Sequence, residues 1–269
     1  MIFHSSRYCD PMTSDSNDLS EQILDQLGTH TSHRAFEPVE LDDQLVRRAV
    51  TAAQTASTSS HIQAYSMLRI RDRETREKLA ELTGGQAQVA KAGAFFVICG
   101  EVRRHHLAAQ RAGQPMARNL ESFLVATIDA SLFAEKLAIA FEALGQGICY
   151  IGGLRSKIAD VDALLELPQH VFPLFGLCVG EPLDLPESDP RKPVPKPRLP
   201  VEAVLFDERY PTDEAMLTLM DRHDVEMAEH YNQRGRHGHN WTGGLVRRQA
   251  KAMRADLAAY YLAKGARFE

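Results

Sequence analysis

The sequence predicts a mixed β-sheet covered by helices, of the α/β or α+β class. Stretches of helical periodicity alternate with short single strands. Residues 94–99 form a continuous apolar run that reads as a strand buried on both faces. Residues 117–144 carry the longest helical signal, apolar around most of its circumference, as a helix buried on several sides should be.

The remaining elements follow in chain order. Over residues 41–56, Leu45, Val46, Ala49, Val50 and Ala53 form one helical stripe. Residues 65–71 read as a strand and 73–82 as an exposed, charged helix. The long helix closes at Gly145, a C-cap candidate because glycine takes positive φ freely. A strand at 148–151, a helix at 156–165 and a strand at 174–179 come next. The prolines of residues 181–200, EPLDLPESDPRKPVPKPRLP, forbid a helix and favour an extended path over the surface. Residues 201–206 are expected as a last edge strand, before helices over 212–233 and 242–263.

Composition narrows the function classes. A hydrophobic fraction of 44% with 25% charged residues is that of a soluble globular protein, in one large domain or two small ones. The net charge of -5 gives no global attraction to nucleic acid or an anionic membrane, so any anion site must be built locally. No apolar run approaches the roughly 20 residues of a membrane span. Residues 1–20 lack the apolar core of a signal peptide and read as a disordered leader, with a start at Met12 as the alternative. The folded unit is then 21–269. Cys9, Cys99, Cys149 and Cys178 show no metal-ligand spacing, and the last three sit in apolar segments; a reducing, cytoplasmic setting is expected.

Several cofactor motifs are absent. The nearest approach to GxGxxG, Gly145-Gln146-Gly147, follows a helix and enters a strand, the reverse of the dinucleotide-binding order. There is no P-loop and no GxSxG elbow. Four other segments combine cationic, hydroxyl and small residues. His30-Thr31-Ser32-His33-Arg34 has the donors for a phosphate, or is a solvated polar loop. Thr58-Ser59-Ser60-His61 could hydrogen-bond a heterocycle or a polyol chain, or cap a helix. Gly84-Gly85-Gln86 allows close backbone approach, or simply ends a helix. Tyr150-Ile151-Gly152-Gly153 lets main chain meet a flat ligand, while Lys196-Pro197-Arg198 is a stiff cationic clamp or a solvated wrap.

Taken together and in this order, HTSHR, STSSHIQ, LTGGQ, YIGGLR, LPQHVFPLFGLCVGEP and KPRLP resemble the nitroreductase superfamily. The likeness is to its oxygen-insensitive NADPH nitroreductases and flavin reductases, from about Leu27 to the C-terminus. The resemblance implies a three-layer α/β/α sandwich with a mixed central sheet, a C-terminal helical extension, and a domain-swapped homodimer with FMN at the subunit interface. By analogy His30, Thr31, Ser32, His33, Arg34, Lys196, Pro197 and Arg198 surround the FMN phosphate, ribityl chain and pyrimidine edge. Thr58, Ser59, Ser60 and Gln86 contact the flavin ring or its chain, and the backbone of Tyr150, Ile151, Gly152 and Gly153 lies beside the ring.

The implied activity is ping-pong hydride transfer from NADPH or NADH through flavin N5 to a small electron acceptor, a nitroaromatic or a quinone. The protein supplies position and charge rather than a side-chain nucleophile. Alternatives are a reductase that releases reduced FMN and a non-catalytic FMN-binding redox sensor. Arg234 matches a family arginine that grips the NADPH 2'-phosphate; the loop is two residues shorter than the pattern, leaving Arg236 and His237 as candidates for a second contact. Ser60, His61 and Arg254 border the acceptor pocket, with His61 standing where the family has an apolar, often aromatic residue. No metal is expected, although His223, His230, His237 and His239 are the residues a metal reading would use.

Overall fold

Strand β2 (Ala94–Glu101) is buried along its whole length, and the rest of the fold is arranged about it. The computed structural model of the chain describes residues 14–117, 119–251 and 253–268. The first thirteen residues of the expected leader, with Cys9, lie outside the described residues. Its remainder is helical, because α1 spans Ser14–Gly28.

Helix α2 (Asp43–Ala53) starts at Asp42, whose carboxylate accepts the amides of Gln44 and Leu45. Strand β1 (Tyr65–Ile70) leads to α3 (Arg73–Leu82), capped in the same way by Asp72, and then to α4 (Ala87–Lys91). After β2 come α5 (Arg103–Arg111) and the long α6 (Leu120–Ala143). Gly145 ends α6 at φ +77, as its sequence position suggests. Strand β3 (Gly147–Ile151), α7 (Ile158–Leu165) and β4 (Val171–Gly180) complete the central unit. Beyond the proline-rich segment lie α8 (Asp213–Gln233), α9 (Trp241–Gln249) and α10 (Leu257–Ala263).

The four strands are ordered β1-β2-β4-β3, and every neighbouring pair is antiparallel. This corrects the expected mixed sheet. The helices α3 and α4 together return the chain to the end where β1 leaves, since Ile70 pairs with Phe95 near the start of β2. Parallel pairing among the described residues is confined to an isolated bridge between Ser32 and Ile148. Side chains of β2 alternate between two cores. Phe96 and Ile98 pack with α2, α6 and Tyr261, whereas Phe95, Val97 and Cys99 pack with α3, α4 and α7. Helix layers therefore cover both faces of the sheet.

Two further expectations change. Residues 201–206 form no edge strand; Val201–Ala203 is a short 3-10 turn, and Val201, Val204 and Leu205 are exposed. The helix expected over 242–263 is two helices, broken around Arg254, which adopts φ 57. Tertiary contacts decide the break. The register of β2 against β4 shifts at Ile98/Cys99, a bulge next to Pro173, which has no N–H to give the ladder. The carbonyls there are taken from outside: Tyr261 of α10 donates to Pro173 O at 2.7 Å and Arg155 donates to Leu174 O. Lys264 reaches both carboxylate oxygens of Asp162 at 2.6 and 2.7 Å, fixing the end of the chain on α7.

Candidate functional site

The 30–34 segment runs beside β3, where the His33 amide donates to Ile148 O at 2.8 Å. His30 Nδ1 lies 2.6 Å from a Glu142 carboxylate oxygen, and Thr31 Oγ1 lies 3.3 Å from His33 Nε2. A Cβ on Gly147 would stand 2.8 Å from the His33 ring, so glycine lets the imidazole lie flat on the strand. Arg34 is exposed and spends one bond, of 3.3 Å, on Ser32 O. Burial holds the His33 imidazole below its ordinary pKa, with Glu142 opposing and His30 assisting. A base with a depressed folded pKa binds its proton more readily in the unfolded chain. Stability is thus whole above the usual value of 6.5 and falls as pH drops through it toward the folded value. His33→Gln is expected to flatten the decline in Tm between about pH 7 and about pH 5; an unchanged slope assigns that decline elsewhere.

The 58–64 turn is the most constrained part of the site. Ser60, His61 and Gln63 have φ of 47, 56 and 51, a left-handed conformation that costs a non-glycine residue about 1–2 kcal/mol. Asp129 of α6, 1% exposed, spans the turn: one carboxylate oxygen accepts the Ser59 amide and the other the Ala64 amide, each at 3.0 Å. From the opposite side His105 Nε2 lies 2.8 Å from Ile62 O, and Arg104 donates to Gln63 O at 3.3 Å and to Tyr65 O. Ser60 and His61 keep exposed side chains. The available sequence signal for Asp129 is a lone carboxylate between Ala126 and Phe133 on the apolar side of a long helix.

Gln86 donates to Thr83 O at 2.9 Å and accepts from Gln88 at 3.1 Å. A Cβ on Gly153 would lie 2.4 Å from both Gln86 Nε2 and Thr83 O, so this glycine serves the packing of that turn. Gly152 is different: a Cβ there meets only Arg155, at 3.6 Å, leaving an open backbone edge. The Tyr150 hydroxyl turns into α6, 2.9 Å from Ala134 O and 3.2 Å from Glu135, and burial with that carboxylate pushes its pKa well up.

Arg254 joins this region. Its pKa is lowered first by burial, then by Arg155 and Arg248, and its Nε has no hydrogen-bond partner. No ion pair among the described residues includes any of these three arginines. A cationic group thus stands beside the open edge of Gly152. Arg155 and Arg248 join the site through the fold alone, the first from the YIGGLR motif and the second from α9.

Lys196 and Arg198 are exposed, with Pro197 between them half-buried. Burial, then Arg234 and Lys196, hold the His230 pKa down, so the proline-rich segment runs along the end of α8. Arg234 also reaches Lys192 O at 3.5 Å. Arg236 lies over the Tyr231 ring at 5.0 Å, and His237 Nδ1 is 3.1 Å from Asn232 Oδ1. Lys196 is therefore grouped with Arg234, whereas no hydrogen bond or ion pair among the described residues joins 196–198 to 30–34 within one chain. Arg34, Lys196 and Arg198 have no carboxylate partner among the described residues, a donor set suited to a phosphate. His223 is buried with its ring 5.6 Å from Trp241, and no described cluster of His, Cys, Asp and Glu is placed to hold a metal.

Comparison with known proteins gives a consistent result. Residues 27–181 match the Nitroreductase family, and residues 196–269 match the Nitroreductase family, C-terminal domain. The unmatched interval falls in the proline-rich segment. A Bacillus subtilis protein named FMN reductase (NADPH) is 37% identical over 256 residues, covering 93% of this chain and 98% of its own length. The oxygen-insensitive NADPH nitroreductase of Salmonella typhimurium is 37% identical over 245 residues, covering 90% and 97%. The solved structure of B. megaterium NfrA1 superposes with a TM-score of 0.86 at 36% identity, covering 91% of this chain and 98% of that one.

Proposed function

The chain belongs to the Nitroreductase family, and on that footing we propose that it is an FMN-dependent NAD(P)H oxidoreductase delivering two electrons to nitroaromatics, quinones or related small acceptors. The observation that carries this reading is the set of uncompensated cations, Arg34, Lys196 and Arg198, with the 30–34 segment held beside β3, the strand that leads into the open backbone edge at Gly152. When bound, FMN would supply the two-electron redox chemistry between NAD(P)H and an acceptor that takes the nicotinamide's place.

The chain's own residues bind and orient. Arg34, Lys196 and Arg198, with His30, Thr31 and Ser32, take the phosphate and ribityl chain. Thr58, Ser59, Ser60 and Gln86 would hold the polar edge of the ring, and the backbone from Tyr150 to Gly153 would support it. Positive charge at that edge stabilises negative charge acquired on reduction, and a partly dry pocket strengthens the attraction. Arg155, Arg248 and Arg254 favour an acceptor carrying nitro or other anionic oxygens. Arg234, with Arg236 and His237, receives the 2'-phosphate of NADPH.

The reading includes a homodimer, and exposed apolar surface supports it. Leu120, Leu124, Ile128 and Leu132 form an exposed apolar stripe on α6, and Leu19, Ile23, Leu24 and Leu27 form another on α1. In such a dimer the 196–198 segment of each copy completes the phosphate site of the other.

The purified protein should be yellow, bleach on anaerobic addition of NADPH faster than with NADH, and regain colour with a nitroaromatic or quinone. Arg234→Ala should narrow the NADPH advantage. A protein that neither retains flavin nor bleaches overturns the proposal. The name of the B. subtilis relative favours a second reading, release of reduced FMN. The two part on whether reduced flavin stays with the protein through turnover.

A further inference from the structure

We propose that Asp129 is a positioning residue for acceptor reduction, clamping the 58–64 turn so that Ser60 and His61 are presented in one fixed arrangement; the inference rests on the flavin reading above. Three left-handed residues in four positions do not persist unless their surroundings over-determine them. The two amides that Asp129 captures, Ser59 and Ala64, flank that run on either side, so one carboxylate ties both ends of the turn to α6. The same carboxylate lies in a helix whose other buried residues are apolar, Ala126, Ala130, Phe133, Ala134, Leu137, Ala138 and Phe141, and no cation pairs with it among the described residues.

A buried carboxyl group whose two oxygens are spent on main-chain amides at both ends of one turn fixes the geometry of that turn. His105 and Arg104 hold the carbonyls of Ile62, Gln63 and Tyr65 from the other side. The backbone is thereby fixed from two directions, while the side chains of Ser60 and His61 remain outward and available.

The test uses Asp129→Asn and His105→Ala. The amide keeps one accepting oxygen but turns an NH2 toward a backbone N–H, so one end of the clamp opens. In flavin-free protein, hydrogen exchange at the Ser59 and Ala64 amides is expected to accelerate about 10-fold or more in Asp129→Asn, while β2 stays protected. In the loaded enzyme, the acceptor KM should rise about 10-fold, several times more than NADPH-driven bleaching slows. His105 is half-buried and its contact with Ile62 O lies at the surface, so His105→Ala should fold normally and raise that KM about 3-fold, which provides the test where Asp129→Asn does not fold. Unchanged exchange in Asp129→Asn, equal losses in both half-reactions, or an unaltered acceptor KM in a folded variant each overturn the proposal. A wild-type protein that does not bleach defeats the flavin reading instead, and the exchange measurement still decides whether the clamp exists.

Discussion

Arg198→Ala is expected to leave the chain folded and to weaken FMN binding by about 10- to 100-fold. A charge-assisted hydrogen bond to phosphate is worth about 1.5–3 kcal/mol, and each 1.4 kcal/mol is a factor of about ten in affinity. The exposed guanidinium has no carboxylate partner among the described residues, so its removal breaks no ion pair that supports the fold. Arg34→Ala should act alike. Flavin titration of the stripped protein gives the affinity, and its Tm gives the control. Mixing the two variants adds a sharper result. Where Arg34 of one copy and Arg198 of the other share a phosphate, a heterodimer holds one intact site and one doubly broken site, so tight binding returns to half of the heterodimer's sites, about a quarter of all sites in an equal, freely exchanging mixture. Where both arginines act within one copy, every site is damaged and none returns. Wild-type affinity in both single variants sinks the phosphate assignment.

Much of the central unit is legible in the sequence because burial leaves a direct mark there. The run at 94–99 signals β2, which extends to Glu101 because Gly100 can sit against the Ala126 carbonyl, 3.1 Å from where its Cβ would be. An apolar run carries no direction, however, so the sequence accommodates a mixed sheet as readily as the antiparallel one. Residues 201–206 have strand-forming composition but find no partner strand, and local turn bonds decide their conformation. The break at Arg254 has no proline or glycine to announce it; α10 is placed by Tyr261 and Lys264 reaching distant carbonyls and Asp162. The same limit applies to the candidate site. Basic and hydroxyl residues in short motifs mark the segments that could meet an anion. Asp129, Arg104 and His105 act on main-chain atoms, and such bonds impose no recognisable pattern on neighbouring sequence. That Arg234 reaches Lys192 O and that Lys196 acts on His230 depend on how an extended segment crosses a helix end, which composition does not encode.

For the homodimer proposed above, Ile128→Arg is expected to leave the protein monomeric at micromolar concentration and to strip its flavin. Leu120, Leu124, Ile128 and Leu132 are 37, 43, 53 and 45% exposed in one chain and spaced four residues apart, so they line a single side of α6. Ala126, Ala130, Phe133, Ala134 and Leu137 already provide the side that meets the sheet, and the outer stripe contributes little to it. Covering four such side chains against another copy stabilises association by several kcal/mol, at about 25 cal/mol per Å² of apolar surface. An arginine in the middle of that contact would be buried without a partner, enough to weaken association by about 100-fold or more. Its effect on the isolated fold should be slight, because position 128 already faces solvent there. The expected signature is therefore a monomeric mass with unchanged far-UV circular dichroism and lost yellow colour. Loss of colour follows from the proposed arrangement, in which Arg34 of one copy and Arg198 of the other share a phosphate, so that separation of the copies divides the site. A variant that stays dimeric with full flavin would place the subunit contact on another surface; a monomer that keeps its flavin would show that one chain closes the site alone.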